Sequence, residues 1–481
     1  MRKAILRQLI IALALLALWV APCAAQDSQT STAPQTSAEE PQGNAPQSNQ
    51  GQPSTSAPMT PLSGVQVLAP TFGTTALSYV VPAAACTERA TTNPSGYHYG
   101  SVYSQTSCAG QVTLQKVGRH SQFNLDYTAG GYYYNRSISE GNLTDIKNYG
   151  VAQQLGFTEE ISGARWSWLI GDQGTYLPEG PGGYQGFAGL ASFGGGMGGS
   201  SISSAPALGN AFSPNQSLFG GLARRLSDMA ETEVNYRASA RSTLTGSVVY
   251  GTLQFLTPGF VDDRYWMATG GYNRTVGRAD ELAITYDEMH FNFGANQNMV
   301  SRGASILYGH QLSPRFTVEL SVAPADRELS LPGISSSGEF FMGTYDALKY
   351  RGARWNGTLS VGRNLGGGAG VMAGAERTTV MGSLGRQLTR HWRGDFRGSY
   401  NNNRGFQPVA STAAAPSYDY LQAGVGLNRE LGPHVSMYLD YNVDRQTGNR
   451  NICVGGNCQG VYFRQTGGFG ISWHARPIKI E

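Results

Sequence analysis

Residues that could do chemistry are sparse in this sequence. His290 stands close to Asp287 and Glu288, and an imidazole beside two carboxylates is the kind of group that moves protons in general acid–base catalysis. Strand residues of this type more often belong to a lumen wall or rim, and the plainer reading is taken. The 7 histidines are scattered, with no H-E-x-x-H pair to hold a zinc ion, and no G-x-S-x-G marks a nucleophile elbow. Cys453 and Cys458, separated by Val-Gly-Gly-Asn, would supply two thiolates but not the other two ligands of a closed zinc site. The glycines of 179–221 do not cradle a phosphate, because no G-x-x-x-x-G-K-[ST] occurs there. The sequence therefore predicts neither an enzyme nor a bound cofactor.

Charge on one face of a strand is the other chemistry on offer. From His391 onward, Arg393, Asp395, Arg397, Ser399, Asn401 and Asn403 alternate with Trp392, Gly394, Phe396, Gly398 and Tyr400. A two-residue period gives a strand with one polar and one apolar-or-small face. The same split sets Ser436, Tyr438, Asp440, Asn442 and Asp444 against Val435, Met437, Leu439, Tyr441 and Val443, and Thr317, Glu319 and Ser321 against Phe316, Val318, Leu320 and Val322. A soluble sandwich would bury the apolar face under a second sheet, whereas a membrane barrel turns it to lipid and keeps the charges in water inside. Unpaired charge is costly to bury, so the polar faces imply a wet or polar-plugged lumen. Arg354, Arg393, Asp395, Arg397, Glu319, Asp440 and Asp444 are the candidate lumen charges, which would set solute selectivity through the field across a pore. The plainer role for each is to keep an inward face hydrated and paired.

The elements that must carry these residues are strands. Over 481 residues, Gly 64, Tyr 25 and 14% charged residues describe strands and turns, and a mean hydropathy of −0.28 is too polar for a helical membrane protein. A net charge of +3 makes no case for nucleic acid. Residues 1–25 read as a secretory signal, with Arg2, Lys3 and Arg7 ahead of an apolar run and cleavage after Ala25; lipidation of Cys23 fits poorly beside Pro22. Residues 26–64, rich in Pro, Gln and Ser, read as a disordered periplasmic linker. In an exported chain the four remaining cysteines predict disulfides Cys86–Cys108 and Cys453–Cys458, each closing an exposed extracellular loop.

Residues 65–481 read as strands from Thr74 to Trp473, 18 in number, with 16 as the alternative count. Glu159-Glu160 reads as a short acidic turn, 324–343 as a long connection, and Gly370–Arg377 and Val380–Leu388 as separate strands. GHQLSPRF, GRNLGGGAG, GRQLTRHW and NRELGPHV read as one set of tight turns. Residues 179–221 form a long Gly-rich loop, extracellular or folded into the lumen. The fold class is an all-β transmembrane antiparallel up-and-down β-barrel with short periplasmic turns and long extracellular loops.

The C-terminal stretch Gly467-Gly468-Phe469-Gly470-Ile471-Ser472-Trp473 resembles the assembly signal of bacterial outer-membrane proteins, although the chain runs on through HARPIKIE. WSWLIGDQGTYLPEGPGG, YRASARSTLTGSVVYG and GGYNRTVGRADELAITYDEMHF resemble a family of porin-like bacterial outer-membrane β-barrels, from about residue 65 to the end. The resemblance implies the outer membrane of a Gram-negative cell and brings no catalytic residue with it. The expected partners are outer-membrane lipid and lipopolysaccharide, the barrel assembly machinery during biogenesis, and a small polar solute. The expected function is a pore for passive or gated passage of such solutes. The other reading is a plugged structural or secretion-associated barrel, for example one serving exopolysaccharide export.

Overall fold

The computed structural model describes residues 77–92, 102–135, 138–140, 143–146, 149–177, 224–256, 259–294, 297–331, 334–367, 370, 372–406, 415–448 and 461–480. The signal sequence, the 26–64 linker, the 179–221 loop and the Cys453–Cys458 pair lie outside the described residues.

The strands are β1 (Leu77–Thr92), β2 (Val102–Val117), β3 (Ser121–Tyr134), β4 (Ile138–Glu140), β5 (Leu143–Ile146), β6 (Tyr149–Ser162), β7 (Trp166–Leu177), β8 (Arg225–Ser239), β9 (Ser242–Phe255) and β10 (Asp263–Thr275). They continue with β11 (Asp280–Asn292), β12 (Asn298–Ser313), β13 (Phe316–Leu331), β14 (Ile334–Arg351), β15 (Trp355–Gly366) and β16 (Ala375–Gln387). The last are β17 (Trp392–Gly405), β18 (Ser417–Glu430), β19 (Val435–Gly448), β20 (Val461–His474) and β21 (Ile478–Lys479). Among the described residues, 18 strands close into one antiparallel sheet in chain order, and β20 returns to β1 from Ala83↔His474 to Thr92↔Gln465. β4 and β5 form a separate hairpin, and β21 pairs with the start of β1. Closure gives every one of the 18 strands a partner on both sides, which is what hydrocarbon demands of a sheet.

The two wall faces follow the alternation in the sequence. On β19, Ser436, Tyr438, Asp444 and Gln446 point inward and are buried, while Leu439, Tyr441 and Arg445 point outward and are exposed. Val248, Ile284, Ile306, Leu320, Val361, Val425 and Ile471 are likewise exposed on the outer wall. Such a surface is stable only against lipid. Trp166, Trp355 and Trp392 open their strands at the short-turn end, and Tyr250, Trp266, Tyr286 and Tyr400 form a second aromatic level above them. Trp392 and Tyr400 are eight positions apart on β17, roughly 21 Å along the membrane normal for strands tilted near 40°. That spacing matches an apolar band of about 25 Å, and the protein is an outer-membrane barrel.

Several local expectations are corrected. Residues 324–343 are not a connection but the outer parts of β13 and β14, paired up to Leu331↔Ile334. Pro324 lacks an N–H to give β12, and the β12–β13 ladder skips from Gly303↔Ala325 to Ile306↔Val322 at that point. Gly370–Arg377 and Val380–Leu388 are not two strands, since Ala375–Gln387 is continuous; the missed strand and the split one cancel in the count of 18. Glu159 and Glu160 lie within β6, and the turn falls at 163–165. GRNLGGGAG is no periplasmic turn: the chain has just turned at 352–354, so the connection after β15 lies at the opposite, extracellular end.

The Cys86–Cys108 disulfide is present, but it closes no free loop. The two residues are direct partners in the β1–β2 ladder, with Cα atoms 4.1 Å apart, and both face the outer wall.

Candidate functional site

The inner wall is uneven in charge. Along β3 to β13, where Arg225, Arg237 and Arg327 also face in, the inward carboxylates are Asp126, Glu160, Glu231, Glu233, Asp263, Glu281, Asp287 and Glu319. Of these, only Glu319 joins an ion pair among the described residues, accepting from Lys349 Nζ at 2.7 Å. The others are held by neutral donors where bonds are shown: Asn235 to Glu233 at 2.6 Å, Asn273 to Glu281 at 2.8 Å, and Thr113 to Asp126 at 2.6 Å. From β14 round to β1 the inward face carries Lys349, Arg377, Arg393, Arg397, Arg464 and Arg89, together with Asp395, Asp440 and Asp444. An excess of carboxylates on one side of a lumen and of cations on the other sets up a field across it.

The candidate charges fall as follows. Arg393, Asp395 and Arg397 share the inner face of β17, where Arg397 Nε donates to Asp395 Oδ2 at 3.1 Å. Glu319 is inward on β13 and 5% exposed. Asp440 meets Arg89 at 3.4 Å and accepts from Asn442 at 3.0 Å. Asp444 is fully buried; it accepts from Arg464 Nε at 3.0 Å and Nη2 at 2.9 Å, and from the Tyr420 hydroxyl at 2.9 Å. Arg354 sits in the 352–354 turn beneath the wall rather than in it.

The acid–base trio is split by the pleat. Asp287 faces the lumen, while Glu288 and His290 face outward, with His290 Nε2 2.9 Å from Glu288 Oε1 and its ring stacked on Trp266 at 4.2 Å. Neighbours in sequence on a strand are opposites in space.

Exposure changes sharply along the barrel axis. On the inner face of β17 the Arg397 side chain is 61% exposed, whereas Asn401 is 6% and Asn403 2% exposed further toward the extracellular end. Two apolar clusters occupy that end. One joins Val249, Tyr265, Met267, Phe291, Met299, Phe341 and Leu365, and the other joins Met372, Ala375, Tyr418, Tyr420 and Tyr462, with Phe260 packed against it. Apolar groups as well as polar ones therefore pack inside the barrel at that end, contrary to the expectation of a purely wet or polar interior.

Two extracellular connections brace this packing. The Val261 N–H donates to the Gly370 carbonyl at 2.8 Å, tying the β9–β10 connection to the β15–β16 one. Gly370 and Gly374 have φ of 76° and 74°, and a Cβ at either would run into the ring of Phe255 or Phe406. The β14–β15 ladder ends at Thr344↔Arg363, and Phe341, beyond that rung, packs into the first cluster. Arg327 fastens the same region, bonded to Glu339 and to Glu376 at 3.0 Å and stacked 4.4 Å from the centre of the Phe406 ring. Arg363 reaches the other oxygen of Glu376 at 2.9 Å.

Sequence reading missed the acidic sector and this cap. The i, i+2 series Glu231, Glu233, Asn235 carries the same signal that revealed β17, and would have found part of the sector.

No family model matches the chain, and no curated protein does. Among solved structures the chain is similar to OccAB3 of Acinetobacter baumannii, at 9% identity over 84% of this chain and 99% of that one, with a TM-score of 0.42. It is similar to OpdQ of Pseudomonas aeruginosa at 8% identity over 83% and 99%, TM-score 0.43. For OccK5 (OpdH) of Pseudomonas aeruginosa the values are 10%, 85%, 99% and 0.42. The barrel itself rests on this chain's own closed ladder.

Proposed function

We propose that the protein is a gated pore for small polar solutes. The periplasmic part of the lumen is the open, charged vestibule, and the extracellular cap is the gate. The observation that carries this reading is the fall in exposure along β17, from 61% at Arg397 to 2% at Asn403 on one face. The opposed charged sectors would orient a dipolar or zwitterionic solute and slow a nonpolar one. The same reading includes a signal peptide removed after Ala25, insertion by an assembly machinery that reads the strand ending at Trp473, and lipopolysaccharide around the outer rim. Liposome swelling with small zwitterions tests it. The wild type should admit solute slowly, and Met372→Ser with Phe406→Ser, which loosens the cap, should admit it several times faster. No swelling by either protein would refute the pore.

The packed cap also favours a second reading, a plugged structural or secretion-associated barrel. That barrel would stay impermeable when the cap side chains are trimmed.

A further inference from the structure

On the outer wall at the periplasmic end, two arginines lie over two tryptophans. The Arg386 guanidinium is 4.5 Å from the centre of the Trp355 ring, and that of Arg429 is 5.3 Å from the Trp392 ring. Each pair is also a cross-strand rung, Trp355↔Arg386 and Trp392↔Arg429, so β15 to β18 present the order Trp, Arg, Trp, Arg around the barrel. Between the two rungs lies Gly394, the partner of Arg386, with the side chains of Leu388 and Leu427 close against it. All four side chains stand within two residues of the 352–354, 388–391 and 431–434 turns, where headgroups of the inner leaflet meet water.

Stacking on an indole uses the face of a guanidinium and leaves its N–H edge free to form two parallel bonds with a phosphate. Neither Arg386 nor Arg429 takes part in an ion pair among the described residues, unlike Arg89, Arg302, Arg327, Arg363, Arg397 and Arg464. Arg354 and Arg390, in the adjoining turns, add positive charge beside them. Two anchored cations at headgroup depth form a surface for the phosphate of a lipid.

We propose that Trp355, Arg386, Trp392 and Arg429 form a site for the headgroup of an anionic glycerophospholipid in the periplasmic leaflet. The test uses the mature barrel in phosphatidylcholine micelles titrated with phosphatidylglycerol, with bound lipid counted by native mass spectrometry. The wild type should retain phosphatidylglycerol in preference to phosphatidylcholine. Arg386→Gln with Arg429→Gln should weaken that retention about 25-fold, two cations at about 5-fold each. Arg393→Gln with Arg397→Gln removes the same charge from the lumen and should leave retention unchanged. Gel mobility of the unheated barrel confirms that each variant is folded. Equal retention of the two lipids by the wild type, an unchanged outer-wall variant, or an equal loss in the lumen variant would each overturn the proposal.

Discussion

Replacing Asp444 by Asn tests how the outer end of the lumen is built. Asp444 is 0% exposed and receives two N–H groups of Arg464, itself 8% exposed, together with the Tyr420 hydroxyl. Asn keeps the shape and an oxygen but removes the charge, leaving a buried guanidinium without its counter-ion. Breaking such a pair costs about 3–5 kcal/mol, because the desolvation of the remaining charge is no longer offset. Were the same pair in a water-filled lumen, its loss would cost about 1 kcal/mol or less. Equilibrium urea unfolding in micelles, followed by gel mobility, measures the difference. The structure predicts a loss of about 3 kcal/mol for Asp444→Asn and partial recovery when Arg464→Met is added, since the stranded charge is then gone. A loss under about 1 kcal/mol would show that the cap is open, and the gating argument would fall with it.

Two further outcomes follow from the wall. Cys86→Ser should still insert and close as a barrel, because the β1–β2 ladder continues on both sides of the bridge. Its unfolding stability should drop by about 3 kcal/mol, the chain-entropy value for a bridge across 22 residues, as read from urea curves with and without reductant. His290→Ala should leave solute flux unchanged, since the ring faces outward against Trp266; a large loss of flux would place it in the lumen after all.

The strands were legible wherever polar and apolar residues alternate strictly, as in β17 and β19, because the two faces meet different solvents. Legibility failed at β14, whose first half, ISSSGEFF, carries turn-forming residues and stands beyond the apolar belt, where no lipid imposes alternation. It failed again within β16, where the consecutive threonines Thr378 and Thr379 look like a break in the pattern. The side of the membrane on which GRNLGGGAG turns depends on how many strands precede it, so one missed strand reversed it. Cysteine spacing found the Cys86–Cys108 bridge but not its setting, since a ladder rung and a loop closure look alike in sequence. The cap was hidden for a different reason: Met372, Phe406, Phe260 and Tyr418 come from separate connections and strand ends, and only the closed sheet brings them together.

Solute passing between unevenly charged walls is sorted by charge, and the reversal potential across a planar bilayer under a potassium chloride gradient reads that sorting. With the cap loosened by Met372→Ser and Phe406→Ser, Glu233→Gln should shift the potential toward anion selectivity, and Arg393→Gln with Arg397→Gln should shift it toward cation selectivity. A current that ignores both changes, or no current from any of these proteins, would contradict the account.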